Sequence, residues 1–119
     1  MKAIILFAHG ARNPEWAKPI LAIRDAMLER QPQVTVAAAF LEFIAPQLPE
    51  VLDSLVAEGH RDITIVPMFM AQTGHTKRDL PALLDAARMR HSDLTVHLAT
   101  PIGEAAGVVA AIAEYALMA

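Results

Sequence analysis

Two histidines, His9 and His75, each follow the end of a short apolar run, and an acidic residue, Glu42, follows a third. The runs are Ala3-Ile4-Ile5-Leu6-Phe7-Ala8, the stretch from Val34 to Leu41, and Ile63-Thr64-Ile65-Val66-Pro67-Met68-Phe69. Two neutral imidazoles and a carboxylate form a mixed nitrogen and oxygen donor set suited to Co²⁺, Ni²⁺, Fe²⁺ or Zn²⁺. Three protein ligands leave coordination positions open, as a reactive centre requires and a structural one does not. An imidazole also exchanges protons readily near neutral pH, so His9 is a candidate proton acceptor as well as a metal ligand.

Each of these residues has an ordinary alternative. His9 before Gly10 fits a tight turn, His75 fits the cap region of a helix, and Glu42 fits a solvated loop. What sets them apart is convergence. In an open α/β sheet, ligands bind beyond the carboxyl ends of the strands where the strand order reverses. Arg12, Lys77 and Arg78 fall at the same edge, beside the starts of two expected helices whose free N–H groups attract anions. With Met68, Phe69, Met70 and Ala71 as an apolar wall, the combination points to a small, flat, polyanionic ligand that binds metal. The other histidines, His60, His91 and His97, sit where structural or solvated roles suffice.

Strand and helix patterns alternate four times along the chain. The strands are expected at about 2–8, 34–41, 62–67 and 94–98. Asn13 as N-cap and Pro14 at the first helical position start a helix that runs to Arg30. A second helix is expected from Pro46 to Glu58, ended by Gly59, and a third from Thr76–Asp79 to Arg90. The last is expected from Gly103 to Leu117. Strands apolar on both faces, joined by right-handed crossovers, give an α/β fold: a four-stranded parallel doubly wound sheet in the order 2-1-3-4, with helices on both faces. The chain reads as one domain over residues 1–119. The final helix is apolar on nearly every side, which points to contact with a second protomer.

Composition removes several classes. Hydrophobic residues make up 55% of the 119 and charged residues 19%, so a packed core is available. A net charge of −3 without a basic stripe gives no support to nucleic-acid binding. The absence of cysteine excludes disulfides, thiolate zinc sites and iron–sulfur clusters. No apolar run reaches the roughly 20 residues that span a bilayer. With no leader-like pattern after Lys2, a cytoplasmic location and no membrane association are expected.

The chain resembles the short form of the CbiX-type class II chelatases, which act on sirohydrochlorin in cobalamin and sirohaem synthesis. The resemblance rests on His9-Gly10-Ala11-Arg12, on Phe40-Leu41-Glu42 with Pro46, on the segment from Pro67 to His75 followed by Arg78-Asp79-Leu80-Pro81, and on Thr100-Pro101-Ile102-Gly103. It implies a chelatase half-unit that works as a homodimer. By the same resemblance, His9 is proton acceptor and metal ligand, His75 is the second metal ligand, and Glu42 is a helper near the metal. Substrate contacts would fall at Ala45, Met70, Ala71, Gln72, Thr73 and Gly74; the basic cluster at the same edge adds Arg12 and Arg78 as the expected holders of the peripheral carboxylates. The implied reaction inserts a divalent metal, Co²⁺ first and Fe²⁺ or Ni²⁺ as alternatives, without an organic cofactor. A non-catalytic carrier of metal or tetrapyrrole is the rival reading. Ala11 departs from the family's usual serine, and Ala45 stands where relatives can be acidic.

Overall fold

The computed structural model describes residues 2–72 and 74–119, with the side chain of His75 outside that description. Four strands, β1 (Lys2–Ala8), β2 (Thr35–Phe40), β3 (Asp62–Pro67) and β4 (Thr95–Leu98), form one all-parallel sheet in the order β2-β1-β3-β4. This is the expected order. β1 sits centrally, with Phe7 level with Ala39 on one side and Pro67 on the other.

Alternation along the strands divides the core into two layers, because successive side chains point to opposite faces. Ala3, Ile5, Phe7, Ile63 and Ile65 meet helices α2 (Leu48–Ala57) and α3 (Gly74–Arg90). Leu6, Ala8, Ala38 and Phe40 meet α1 (Lys18–Arg30) on the other face. The α2 residues Leu48, Val51, Leu52, Leu55 and Val56 are all buried, and their spacing is that of a helix with one apolar face.

Three helix starts differ from expectation, and prolines account for two of them. Asn13 does cap a helix, accepting from the Glu15 N–H at 3.0 Å, but that helix is a short 3₁₀ turn, Pro14–Ala17. Pro19 has no N–H to give to the carbonyl of residue 15, so α-helical bonding begins only at Lys18. α2 likewise begins at Leu48 with Pro49 in its first turn, not at Pro46. The loop after β2 is therefore longer than expected and presents Glu42 to Ala45 at the sheet edge. α3 starts earlier, at Gly74, and takes Pro81 into its interior.

The C-terminal end also departs from the expected single helix. Residues Ile102–Glu104 form a 3₁₀ turn, and α4 (Ala106–Met118) follows. α4 buries none of its residues, and Val109, Ile112, Tyr115, Leu117 and Met118 are all exposed. Among the described residues, its main packing partner is the 3₁₀ turn before it.

At the opposite end of the molecule, Asp53 of α2 ties down the C-terminus of α3. It accepts from Arg90 Nε at 3.2 Å and lies 2.9 Å from His91 Nε2. The His91 hydrogen bond, with help from Arg90, holds the Asp53 carboxyl below its ordinary value. A depressed carboxyl contributes stability above its unfolded value, and that contribution fades as acid protonates the folded form. The groups are largely solvated, so the effect is small. Asp53→Asn is expected to cost about 0.5 kcal/mol at pH 7 and nothing measurable at pH 3, read from urea unfolding at the two pH values.

Candidate metal-loading site

β1 ends at Ala8, and His9 is the first residue beyond it. Gly10 follows with φ of 91°, a backbone conformation that favours glycine. A Cβ at this position would collide with the backbone carbonyl of Glu42. Two further backbone bonds hold the loops together: the Leu41 N–H donates to the Ala8 carbonyl at 3.0 Å, and the Glu42 N–H to that of His9 at 3.2 Å. Sequence-distant residues are thereby fixed side by side.

The result is a histidine–carboxylate pair. His9 Nε2 lies 3.2 Å from Glu42 Oε1, and both side chains are about half exposed, at 49% and 47%. Two capabilities follow from that one distance. A proton can pass between the groups, and a single ion can be held by both. Donors about 2.1 Å from one ion stand roughly 3.0–3.4 Å apart.

A cavity of about 360 Å³ opens beside His9. Trp16, Ile20, Phe40, Met68 and Phe69 supply its large side chains, so the lining is chiefly apolar around one imidazole. This is the pattern of a small-molecule site. Phe7 and Phe69 back it with an edge-to-face pair, ring centroids 5.7 Å apart. The wall segment is anchored at both ends: the Met68 N–H donates to the Phe7 carbonyl at 2.7 Å, and the Gly103 N–H donates to the Phe69 carbonyl at 3.0 Å.

The remaining expected site residues fall as follows. Arg12 is exposed, with its guanidinium 5.2 Å from the Phe43 ring centroid. Ala45, Met70 and Ala71 are exposed along the same edge, and Gln72 is partly exposed. Gly74 opens α3, and Arg78 turns back to donate from Nε to the Gly74 carbonyl at 3.2 Å. Thr73 lies outside the described residues. The backbone of His75 is in the first turn of α3, whose earlier start makes it helical and not part of the preceding loop. Its side chain lies outside the description. Among the described residues there is no group of three or more His, Asp or Glu placed to hold an ion.

Two residues of the site escape a reading of the sequence. Trp16, the one tryptophan of the chain, carries a usable signal: a large ring in a chain poor in aromatics, seven residues after His9. Phe43 carries none, since nothing in its neighbours announces its positive φ of 70°. The other histidines have structural settings. His60 is buried, its Nδ1 without a hydrogen-bond partner among the described residues, His91 bonds to Asp53, and His97 Nε2 lies 3.1 Å from Asp62.

Comparison with known proteins fits this arrangement. The CbiX family model matches residues 3–117. A sirohydrochlorin cobaltochelatase of Methanococcus aeolicus is 34% identical over 84 residues, 71% of this chain and 59% of the relative. The crystal structure described as a cobalamin (vitamin B12) biosynthesis CbiX protein from Marinobacter aquaeolei superposes with a TM-score of 0.86. Its identity is 27%, over 99% of this chain and 96% of that one. The sirohydrochlorin chelatase SirB of Bacillus subtilis subspecies spizizenii, solved with cobalt, gives a TM-score of 0.74 at 25% identity, over 95% of this chain and 48% of that one. The chain thus spans less than two thirds of the Methanococcus protein and about half of SirB. With a matching family model from residue 3 to residue 117 and a fold shared throughout, this chain belongs to the CbiX family.

Proposed function

We propose that this protein inserts a divalent metal ion into sirohydrochlorin, with cobalt as the preferred ion. The observation that carries the proposal is the His9–Glu42 pair, 3.2 Å apart, with His9 on the wall of an apolar cleft. Family membership and the name of the Methanococcus relative supply the substrate class. Cobalt rests on that name, and iron is the alternative ion, since SirB is solved both with cobalt and with Fe³⁺.

Insertion exchanges two pyrrole N–H protons for one M²⁺ and needs neither oxidant nor nucleotide. The flat macrocycle lies across the strand ends, its rings against Trp16, Met68 and Phe69 and its carboxylates toward Arg12 and Arg78. His9 holds the ion on one face, with His75 as the second ligand. As pyrrole nitrogens take over the ion, the His9 nitrogen so freed accepts one pyrrole proton and the Glu42 carboxylate the other, and both protons pass on to solvent. Few ligands and a solvent-exposed pair suit release, since a closed site would retain its ion.

Catalysis separates from carriage in a simple experiment. Protein at one-twentieth of the sirohydrochlorin concentration is mixed with Co²⁺, and absorbance is followed against a protein-free control. Many turnovers per chain are expected. One equivalent of product per chain, or a rate equal to the control, would reject the enzyme in favour of a carrier.

The working unit is proposed to be a homodimer. The chain covers about half of SirB, and α4 exposes an all-round apolar surface that a second copy would cover. Sedimentation is expected to show twice the chain mass, and Ile112→Asp in the middle of α4 to return the protein to monomer. Wild-type protein that sediments as a monomer at micromolar concentration would end this part.

A further inference from the structure

Phe43 combines three features that no core or backbone requirement explains. Its φ is 70°, and the Ile44 N–H donates across it to the Glu42 carbonyl at 2.9 Å. A hydrogen bond spanning one residue, with positive φ at its centre, is the rare and strained form of γ-turn. Glycine enters this region freely, whereas a side-chain-bearing residue does so at a cost. Yet the ring is 55% exposed, so burial does little to offset the strain. Its contact is electrostatic: the Arg12 guanidinium stands 5.2 Å from the ring centroid, within the range of a cation–π interaction.

The arrangement joins the same two loops that carry His9 and Glu42. Residues 9 and 12 lie on the loop after β1, and residues 42 and 43 on the loop after β2. Adjacent residues of one loop therefore reach adjacent functions of the other: Glu42 meets His9, and Phe43 meets Arg12. An arginine on an aromatic face keeps its N–H edge free, because the π contact uses the flat face and not the donors. That edge is what a carboxylate binds in bidentate fashion.

We propose that Phe43 is a positioning residue for Arg12, holding the guanidinium at the rim of the cleft so that its edge is presented to a peripheral carboxylate of the tetrapyrrole. The proposal rests on the functional reading above and extends it to a residue that contributes to affinity and not to the metal-transfer step. A long arginine side chain loses considerable rotamer freedom when a ligand fixes it. The Phe43 ring removes part of that freedom before the substrate arrives.

Trp16 on the cavity wall, the sole tryptophan, gives a binding readout that needs no metal. Metal-free sirohydrochlorin is titrated against Trp16 emission for wild type, Phe43→Tyr, Phe43→Ala, Phe43→Gly and Arg12→Ala, and steady-state Co²⁺ insertion is measured alongside. Phe43→Tyr keeps the ring and should bind like wild type. Phe43→Ala and Phe43→Gly should each weaken binding about three- to fivefold, the range of one exposed cation–π contact, and raise KM with kcat changed less than twofold. Arg12→Ala should weaken binding further, and adding Phe43→Ala to it should change nothing more.

Phe43→Gly discriminates most sharply, since glycine keeps the turn and removes only the ring. Wild-type binding in Phe43→Gly would overturn the proposal and leave the turn serving Glu42 alone. Additive losses in the Arg12→Ala, Phe43→Ala double variant would overturn it as well. Failure of the underlying function has a different signature: wild-type protein would then neither respond to sirohydrochlorin nor metallate it, and both readings would fall together.

Discussion

Replacing His9 with alanine is expected to abolish protein-dependent metallation, lowering kcat by on the order of 10²–10⁴ while the fold stays intact. The imidazole is half exposed, and its nearest ionisable partner is a half-exposed carboxylate. Removing it empties no core and leaves no buried charge, so the unfolding midpoint should stay within about 0.5 kcal/mol of wild type. The chemistry loses more, because one ring is first the ion's ligand and then, once the ion has left its lone pair, a proton acceptor. Glu42→Gln keeps an oxygen donor but removes the proton-accepting carboxylate, and a loss of about tenfold is expected. The double variant should be no worse than His9→Ala alone, since residues acting as a unit are non-additive. Stopped-flow absorbance of sirohydrochlorin with Co²⁺ reads all three. Undiminished insertion in His9→Ala would remove the residue from the mechanism.

Gly10→Ala is expected to have the second largest effect, through geometry instead of chemistry. An alanine at φ of 91° costs about 1–2 kcal/mol in any surroundings. Here its Cβ would also occupy the place of the Glu42 carbonyl, so the two loops must separate and strain the backbone bonds of Leu41 and Glu42. A combined loss of about 2–4 kcal/mol is expected, together with a fall in turnover as the 3.2 Å register of His9 and Glu42 is lost. Gly59 provides the comparison. It has φ of 101°, yet a Cβ there would meet nothing within 4 Å, so Gly59→Ala should carry only the conformational cost and metallate normally. Urea unfolding and turnover, measured on both variants, separate the steric effect from the conformational one. Equal behaviour of the two would show that close approach at Gly10 is unimportant.

The fold was legible because strand patterning and crossover handedness both speak to it. Ile5 and Ile63 turn to one face and Leu6 to the other, in strands without polar alternation, and this reads as a sheet buried on both sides. His9 and Glu42 were legible for the same reason, since strand order alone puts their loops side by side. Helix starts were less so. Asn13-Pro14 has the chemistry of a helix start, and only Pro19, five residues on, shortens that helix to a single 3₁₀ turn. α3 likewise starts earlier than its residues suggest, at Gly74, and accommodates Pro81 in its interior, where there is no N–H to offer the Lys77 carbonyl. Phe43 was invisible because nothing in its sequence neighbours calls for a positive φ in a non-glycine residue, and its contact with Arg12 spans two loops.

Crystals grown with Co²⁺ and measured at the cobalt absorption edge locate the ion directly. The account predicts an anomalous peak within bonding distance of a His9 nitrogen, at the mouth of the cleft walled by Trp16 and Met68, and its loss in His9→Ala. Cobalt held instead at His60, at the His91–Asp53 pair or at the His97–Asp62 pair, with His9 bare, would contradict it.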